Sequence, residues 1–263
     1  MSNLQKLAMN MPKTGHAVHG LITTLPTDIA FMPELHTLDF SNNQLTDSVW
    51  PQLFRLTKVK ELQMTGNNFS HIPSEVGRLT WLTKLTVGGN SGLINASSTL
   101  PAELGRLTSI THLQLEGLGI TSIPPSILRR LTQLRTLTLD GNSITEFPST
   151  AMMPELTSLY LRDNALTWFP ATVLAAMPKI SSLILRGNAL TSFPAAALAT
   201  TPTLLTLDLH ANFLVDLESP ANHQRDRISN LNYLVLSQNR LTAVPTFVGQ
   251  VQHLEVRWWC CHM

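Results

Sequence analysis

Cysteine is almost missing from this chain of 263 residues: only Cys260 and Cys261 are present, side by side. A disulfide framework needs separated, pairable cysteines, so none is expected here, and a reducing compartment is the simpler reading. Charge is scarce too. With 13% charged residues and a formal net charge of +1, the chain does not read as a general nucleic-acid binder, which needs a basic stripe to neutralise phosphates. No apolar run reaches the roughly 18 residues of a membrane-spanning helix. The opening stretch also lacks the apolar core of a secretory leader. A cytoplasmic location is the expectation, with an extracellular one as the alternative if the sequence is a piece of a membrane receptor.

What is abundant is leucine in a fixed frame. The pattern L-x-x-L-x-L-x-x-N-x-L, with any aliphatic residue or Phe in the Leu places, fits Leu35, Leu38, Phe40, Asn43 and Leu45. It fits Leu134, Leu137, Leu139, Asn142 and Ile144 equally well. Nine such frames open at Leu35, Val59, Leu82, Ile110, Leu134, Leu156, Ile180, Leu204 and Leu231, in steps of 22 to 28 residues. The frame at Leu82 keeps Leu85, Val87 and Asn90 and then slips by one residue to Leu93, while the frame at Ile110 carries Leu118 in place of Asn. A period of this kind means a stack of identical coils.

Each part of the unit has a physical reading. Alternating Leu residues describe a short strand with one buried face. The Asn can turn its amide inward and bond backbone groups that a tightly bent chain leaves unpaired, so that stacked coils repeat the bond as a ladder. The return half carries an apolar residue followed by Pro, as in Leu25-Pro26, Ile72-Pro73, Ile123-Pro124, Phe169-Pro170 and Val244-Pro245. Proline forbids a long regular helix there, so short helical turns and extended segments are expected on the outer side.

These residues resemble the leucine-rich-repeat family, and the resemblance runs over residues 4–256. Units such as Ile72-Pro73-Ser74-Glu75-Val76-Gly77-Arg78-Leu79 look like the short repeats of small-GTPase scaffolds and plant intracellular proteins, and are similar also to the ectodomains of receptor-like kinases. The longer, fully helical units of ribonuclease inhibitor are not matched. Membership implies an α/β fold: a right-handed solenoid, or horseshoe, of about ten repeats with a concave parallel sheet. It implies no particular ligand.

A single solenoid domain is expected over residues 4–256, with an irregular tail over 257–263. Leu4, Leu7 and Met9 read as the strand of a first unit, and Leu254 opens a tenth frame in which Arg257 falls on a Leu place. The Trp258-to-Met263 tail is either an aromatic plug over the last coil or a stretch foreign to the array. With no polar terminal unit evident, a piece of a larger repeat protein is the expectation.

The family's outward strand positions line the concave sheet, so one repeat position becomes a column of side chains about 4.8 Å apart. The column after the third Leu runs Ser41, Thr65, Gly88, Glu116, Asp140, Arg162, Arg186, His210 and Ser237. Its centre is ordered by sign. Two places earlier in each repeat, Tyr160 stands beside Arg162 and Asp208 beside His210. Glu116, Asp140, Tyr160, Arg162, Arg186, Asp208 and His210 are therefore the candidate partner-binding residues, Tyr and Arg being enriched at binding hot spots. The alternative is a solvated face whose charges pair among themselves.

No catalytic site, cofactor or metal is expected. Asp208, His210 and Ser237 suggest a triad, yet a sheet face offers no oxyanion pocket. His16 with His19, and Cys260-Cys261-His262, lack a workable metal geometry. Gly88-Gly89 has no phosphate-loop pattern around it. Asn68-Phe69-Ser70 and Asn95-Ala96-Ser97 are glycosylation triplets, relevant only outside the cell. The irregular stretches 90–100 and 215–230 are readable as surface loops or as part of a binding face. The resulting expectation is a monomeric, non-catalytic module for a protein partner. A ligand-sensing region of a receptor-like kinase, or a truncated array without independent function, are the alternatives.

Overall fold

The computed structural model describes residues 4–9, 22–32, 34–90, 99–217, 230–243, 245, 248 and 255–257. The three-residue alternation of each frame becomes a three-residue strand. These are β1 (Lys6–Ala8), β2 (Thr37–Asp39), β3 (Glu61–Gln63), β4 (Lys84–Thr86), β5 (His112–Gln114), β6 (Thr136–Thr138), β7 (Ser158–Tyr160), β8 (Ser182–Ile184), β9 (Thr206–Asp208), β10 (Tyr233–Val235) and β11 (Glu255–Arg257). They form one parallel sheet in chain order. Register is set by the leucines: Leu38 pairs with Leu62, Leu62 with Leu85, and so on to Leu207 with Leu234. A slip of one residue would turn every one of these leucines out of the core.

The first unit behaves as its Leu pattern requires, Leu7 standing opposite Leu38. The last frame needs correction. Val256, not Arg257, takes the register place of Leu234, and Arg257 pairs with Val235 inside the strand. The frame therefore begins one residue before Leu254, and the solenoid runs at least through Arg257, into the segment assigned from sequence to the tail. With a period of two, a one-residue shift of the frame changes which residue takes the register place of the repeated leucine.

The return side is made of single turns. Three are α-helical: α1 (Trp50–Leu53), α2 (Pro125–Leu128) and α3 (Ala171–Ala175), and others, such as Ser74–Arg78 and Ala102–Arg106, are 3-10 turns. Pro73, Pro101, Pro124 and Pro170 each stand immediately before a turn, at φ between −58° and −74° with ψ extended. Proline's fixed φ suits both the end of an extended segment and the entry to a turn. The apolar residue ahead of each Pro points inward: Ile72, Leu100, Ile123, Phe147, Phe169 and Phe193 are all buried. In the later coils the phenylalanines form a column, Phe147 to Phe169 at 5.8 Å and Phe169 to Phe193 at 6.4 Å between ring centres. One continuous apolar core runs from Leu25 to Leu236.

The asparagine ladder is present and runs with a direction. Asn67 donates to the carbonyls of Met64 in its own coil (3.1 Å) and Phe40 in the preceding one (3.0 Å), while its Oδ1 accepts the N–H of Leu45 (3.0 Å). Asn188, Asn212 and Asn239 repeat the arrangement. Each Asn thus closes the turn of the coil before it. Next to the rung missing at Leu118, Asn142 donates to Leu115 and Leu139 (both 2.8 Å) and its oxygen accepts from Leu118 (2.9 Å) and Ile120 (3.1 Å), as Asn90 accepts from both Asn67 and Phe69. At the start of the array, the buried Oδ1 of Asn43 has no partner among the described residues.

The residue before each ladder position lies in the left-handed region. Glycine fills it at Gly66, Gly89, Gly117, Gly141 and Gly187, but Ala211 (φ +52°) and Gln238 (φ +54°) also occupy it. A Cβ there costs roughly 1–2 kcal/mol, less the backbone entropy that glycine gives up.

Two expectations follow from this geometry. Asn142→Ala should lower unfolding free energy by about 3 kcal/mol in urea titration, more than Asn188→Ala at about 2 kcal/mol, because Asn142 satisfies four buried backbone groups against three. Equal losses would show that the added bond from the Leu118 N–H carries no extra weight. Ala211→Gly should raise stability by about 0.5–1 kcal/mol in the same titration.

Candidate functional site

In each strand the middle leucine faces the core, so the first and third residues face the concave side. The next residue outward from the core, after the third Leu, continues that surface. All seven candidate residues lie on this face, on β5 to β9 or immediately after them. They divide into three local arrangements.

The acidic end is tightly packed. Glu116 folds its carboxyl over Gly88, so that a Cβ on Gly88 would collide with Glu116 Cδ. Its Oε2 is buried and has no hydrogen-bond partner among the described residues. The bare Gly88 in the column is thus a seat for the next coil's carboxylate. Asp140 accepts the backbone N–H of Arg162 at 2.7 Å, and Arg162 Nε lies 4.0 Å from its other oxygen. Burial pushes the Asp140 carboxyl above the usual carboxylate range, against the downward pull of the Arg162 N–H and guanidinium; neighbouring Asp163 adds to the rise.

The centre is open. Arg162 is exposed and its guanidinium carbon stands 5.8 Å from the Tyr160 ring centre, a cation–π distance. Arg186 is exposed, and among the described residues its guanidinium makes no ion pair. Ile184, opposite Tyr160 in the register, is at a concave strand position yet only 5% exposed.

The third arrangement separates the residues that suggested acid–base chemistry. Asp208 accepts the backbone N–H of His210 at 2.9 Å. The imidazole Nδ1 of His210 instead meets the Ser237 hydroxyl at 2.6 Å. Asp208 therefore braces the backbone and does not orient the imidazole as a triad carboxylate does.

Spacing singled out two columns and passed over the residues that open or precede the strands. There the structure exposes Leu205 (43%) and Tyr233 (45%), neighbours through the Tyr233 N–H to Leu205 carbonyl bond. Their apolar character was readable, but their facing becomes definite only with the register. The expectations on His16, His19, Leu93, Asn95, the 218–229 loop and the tail fall outside the described residues. Among the described residues, no three His, Cys, Asp or Glu side chains gather as a metal site, and no helix is long and apolar enough to cross a membrane.

The family model described as Leucine rich repeat matches residues 108–166 and 154–214, and a second model of the same description matches 34–56. The chain is a leucine-rich-repeat protein. Such repeats, and this fold, are typically non-catalytic and commonly serve recognition. Among solved structures, a leucine-rich-repeat protein of Leptospira interrogans superposes with a TM-score of 0.83 at 24% identity, over 97% of this chain and 61% of that one. The ectodomain of the Arabidopsis thaliana membrane receptor kinase GASSHO1/SCHENGEN3, solved with CASPARIAN STRIP INTEGRITY FACTOR 2, gives 0.70 at 25% identity, over 90% of this chain and 28% of that one. TLR13, solved with ssRNA13, gives 0.72 at 20% identity, over 98% and 40%. This repeat array thus spans less than two thirds of each of these structures. A search of curated proteins returns no match.

The position of Asp140 makes a prediction with a definite sign. Because its folded-state pKa is raised, the folded chain holds the proton more tightly than the unfolded chain, and stability falls as pH rises from about 3.8 through the folded value. At neutral pH the ionised group is therefore a cost. Asp140→Asn keeps the acceptor for the Arg162 N–H and should raise the thermal midpoint at pH 7, with the gain shrinking toward pH 3.5. A midpoint that drops at pH 7 would show that pairing with Arg162 outweighs burial.

Proposed function

We propose that this leucine-rich-repeat array is a non-catalytic recognition module that binds a protein or peptide partner on its concave face. The contact centre is Tyr160, Arg162 and Arg186, flanked by Glu116 and Asp140 on one side and Asp208 and His210 on the other. The observation that carries this reading is the unequal treatment of charge along one column. Asp140 is kept partly buried at a cost, while Arg186 two coils on is exposed with no counter-ion among the described residues. A merely solvated face has no need of either arrangement, because its charges relax into water or pair. A binding face does need them: an exposed guanidinium without a counter-ion, with a second guanidinium held against an aromatic ring in the coil before it, is the kind of arrangement that anchors a partner.

The backbone supports such a role. Eleven hydrogen-bonded strands hold the column rigid, so little ordering entropy is lost on binding. Mixed signs favour a partner that itself alternates charge, as a polypeptide does, over a uniformly anionic strand. The GASSHO1/SCHENGEN3 complex lends support by likeness of fold, and it also favours a second reading, that the array is a ligand-sensing piece of a receptor-like kinase. Action as a monomer within the cytoplasm belongs to the first reading.

The test is a comparison of the chain with its Arg162→Glu/Arg186→Glu variant as baits in lysate from the source cells. Any captured protein would then be purified and titrated against both. A partner bound by the first and weakened at least about a hundredfold in the second is expected, since two reversed charges at a contact centre each cost on the order of 2 kcal/mol. Equal titration curves would remove these arginines from the site.

A further inference from the structure

The outer side of the solenoid carries a second column. The residue at or just past the end of each helical turn, immediately before a buried Leu, is Arg55, Arg78, Arg106 and Arg130 in four successive coils. Their equivalence is structural: Leu56, Leu79, Leu107 and Leu131, which follow them, each donate an N–H three residues back, to Leu53, Val76, Leu104 and Leu128. All four arginines are exposed, and among the described residues none of their guanidiniums forms an ion pair.

The column is built as well as repeated. Gly77 and Gly105 lie beneath the next coil's arginines: a Cβ on Gly77 would meet Arg106 Cδ at 3.1 Å, and one on Gly105 would meet Arg130 Cδ at 3.3 Å. The aliphatic stems are thus laid on glycine backbone, with the charged heads left outward. An arginine placed only to cap its own turn would bond that turn's carbonyls, and no such bond is formed by these four among the described residues.

The ends of the column differ in kind. The equivalent place in the coil before Arg55 is Phe31, 74% exposed, and in the coil after Arg130 it is Met152, 64% exposed. Between Arg55 and Arg78 lies a cavity of about 380 Å³ with Trp50, Pro51, Phe54 and Pro73 in its lining. Asp47 also lines it, but its carboxylate is occupied by the Ser70 N–H and hydroxyl and faces His71.

We propose that this outer column is a second interaction surface, taking an acidic polypeptide segment whose apolar side chains engage Phe31, Met152 and the cavity between Arg55 and Arg78. Guanidinium forks match carboxylates bidentately, which fits a column built wholly of arginine without lysine. Glu75 and Glu103 stand within the stripe. They would repel the unbroken negative charge of a nucleic-acid strand or an anionic lipid surface, whereas a polypeptide can set a neutral residue against them. The surface lies on the side opposite the concave sheet, so it is separate from the recognition site proposed above.

The experiment titrates the full chain with a labelled synthetic peptide in which Glu pairs alternate with Leu, followed by fluorescence anisotropy. Oligothymidylate of equal charge and phosphatidylserine vesicles serve as comparison probes. Saturable peptide binding is expected. It should weaken by at least about tenfold in Arg78→Glu/Arg106→Glu, several-fold in Arg78→Lys/Arg106→Lys, and measurably in Phe31→Ser. The lysine pair keeps the charge and the turn, so its loss reads the guanidinium geometry and not folding. Unchanged peptide binding in both arginine variants overturns the proposal. So does tighter binding of the oligonucleotide or the vesicles than of the peptide.

Discussion

The constraint on which this molecule depends is the unpaired backbone left by a chain that turns sharply after only three residues of strand. Each coil brings carbonyl and N–H groups into an apolar interior, where an unmade hydrogen bond costs on the order of 1–3 kcal/mol. A side chain with both a donor and an acceptor, short enough to fit the bend, resolves this, and asparagine is that side chain. Because its amide spans two coils, the repair of one turn also fixes the spacing and register of the next. The leucines fill the space this leaves, the outward positions become columns, and any surface made of columns inherits the period of the ladder.

Much of this was legible without coordinates, for a physical reason. A repeated coil states its pattern many times, so the apolar places, the ladder residues and the Pro-led return turns are each seen in several copies. Where only one copy speaks, legibility fails. At the last strand, Leu254 suggested a frame that puts Arg257 on a core place, whereas pairing with β10 puts Val256 opposite Leu234. The pairing partner decides a register, and a lone terminal frame does not name its partner. At Leu118 the lost ladder residue could be seen, but that Asn142 would take up both neighbouring N–H groups could not.

The candidate site shows the same division. The columns of Glu116, Asp140, Arg162, Arg186 and His210 could be read off the spacing, because facing follows from strand alternation. Which groups bond was not readable. Asp208 and His210 are near in sequence, yet the carboxylate takes a backbone N–H and the imidazole turns to Ser237 in the next coil. The outer arginines were equally open to counting. A net charge near zero conceals them, since a sum over the chain cannot report that four cations share one line. Composition limits what a protein does as a whole and says little about any one face.

The direction of the ladder has a bearing on how such an array grows or shrinks. Every asparagine serves the coil that precedes it, so the two ends are not equivalent. Loss of a coil at the start leaves the new first asparagine with an idle acceptor. A carbonyl-type oxygen in that state needs only a water. Loss of a coil at the far end removes the donor and acceptor that close the turn before it, leaving main-chain groups bare. A unit gained or lost at the beginning, or duplicated in the middle, therefore disturbs little, while the end of the chain has to be finished by something that does the work of the missing asparagine. Lineages of this repeat can be expected to vary in length more freely at one end than at the other.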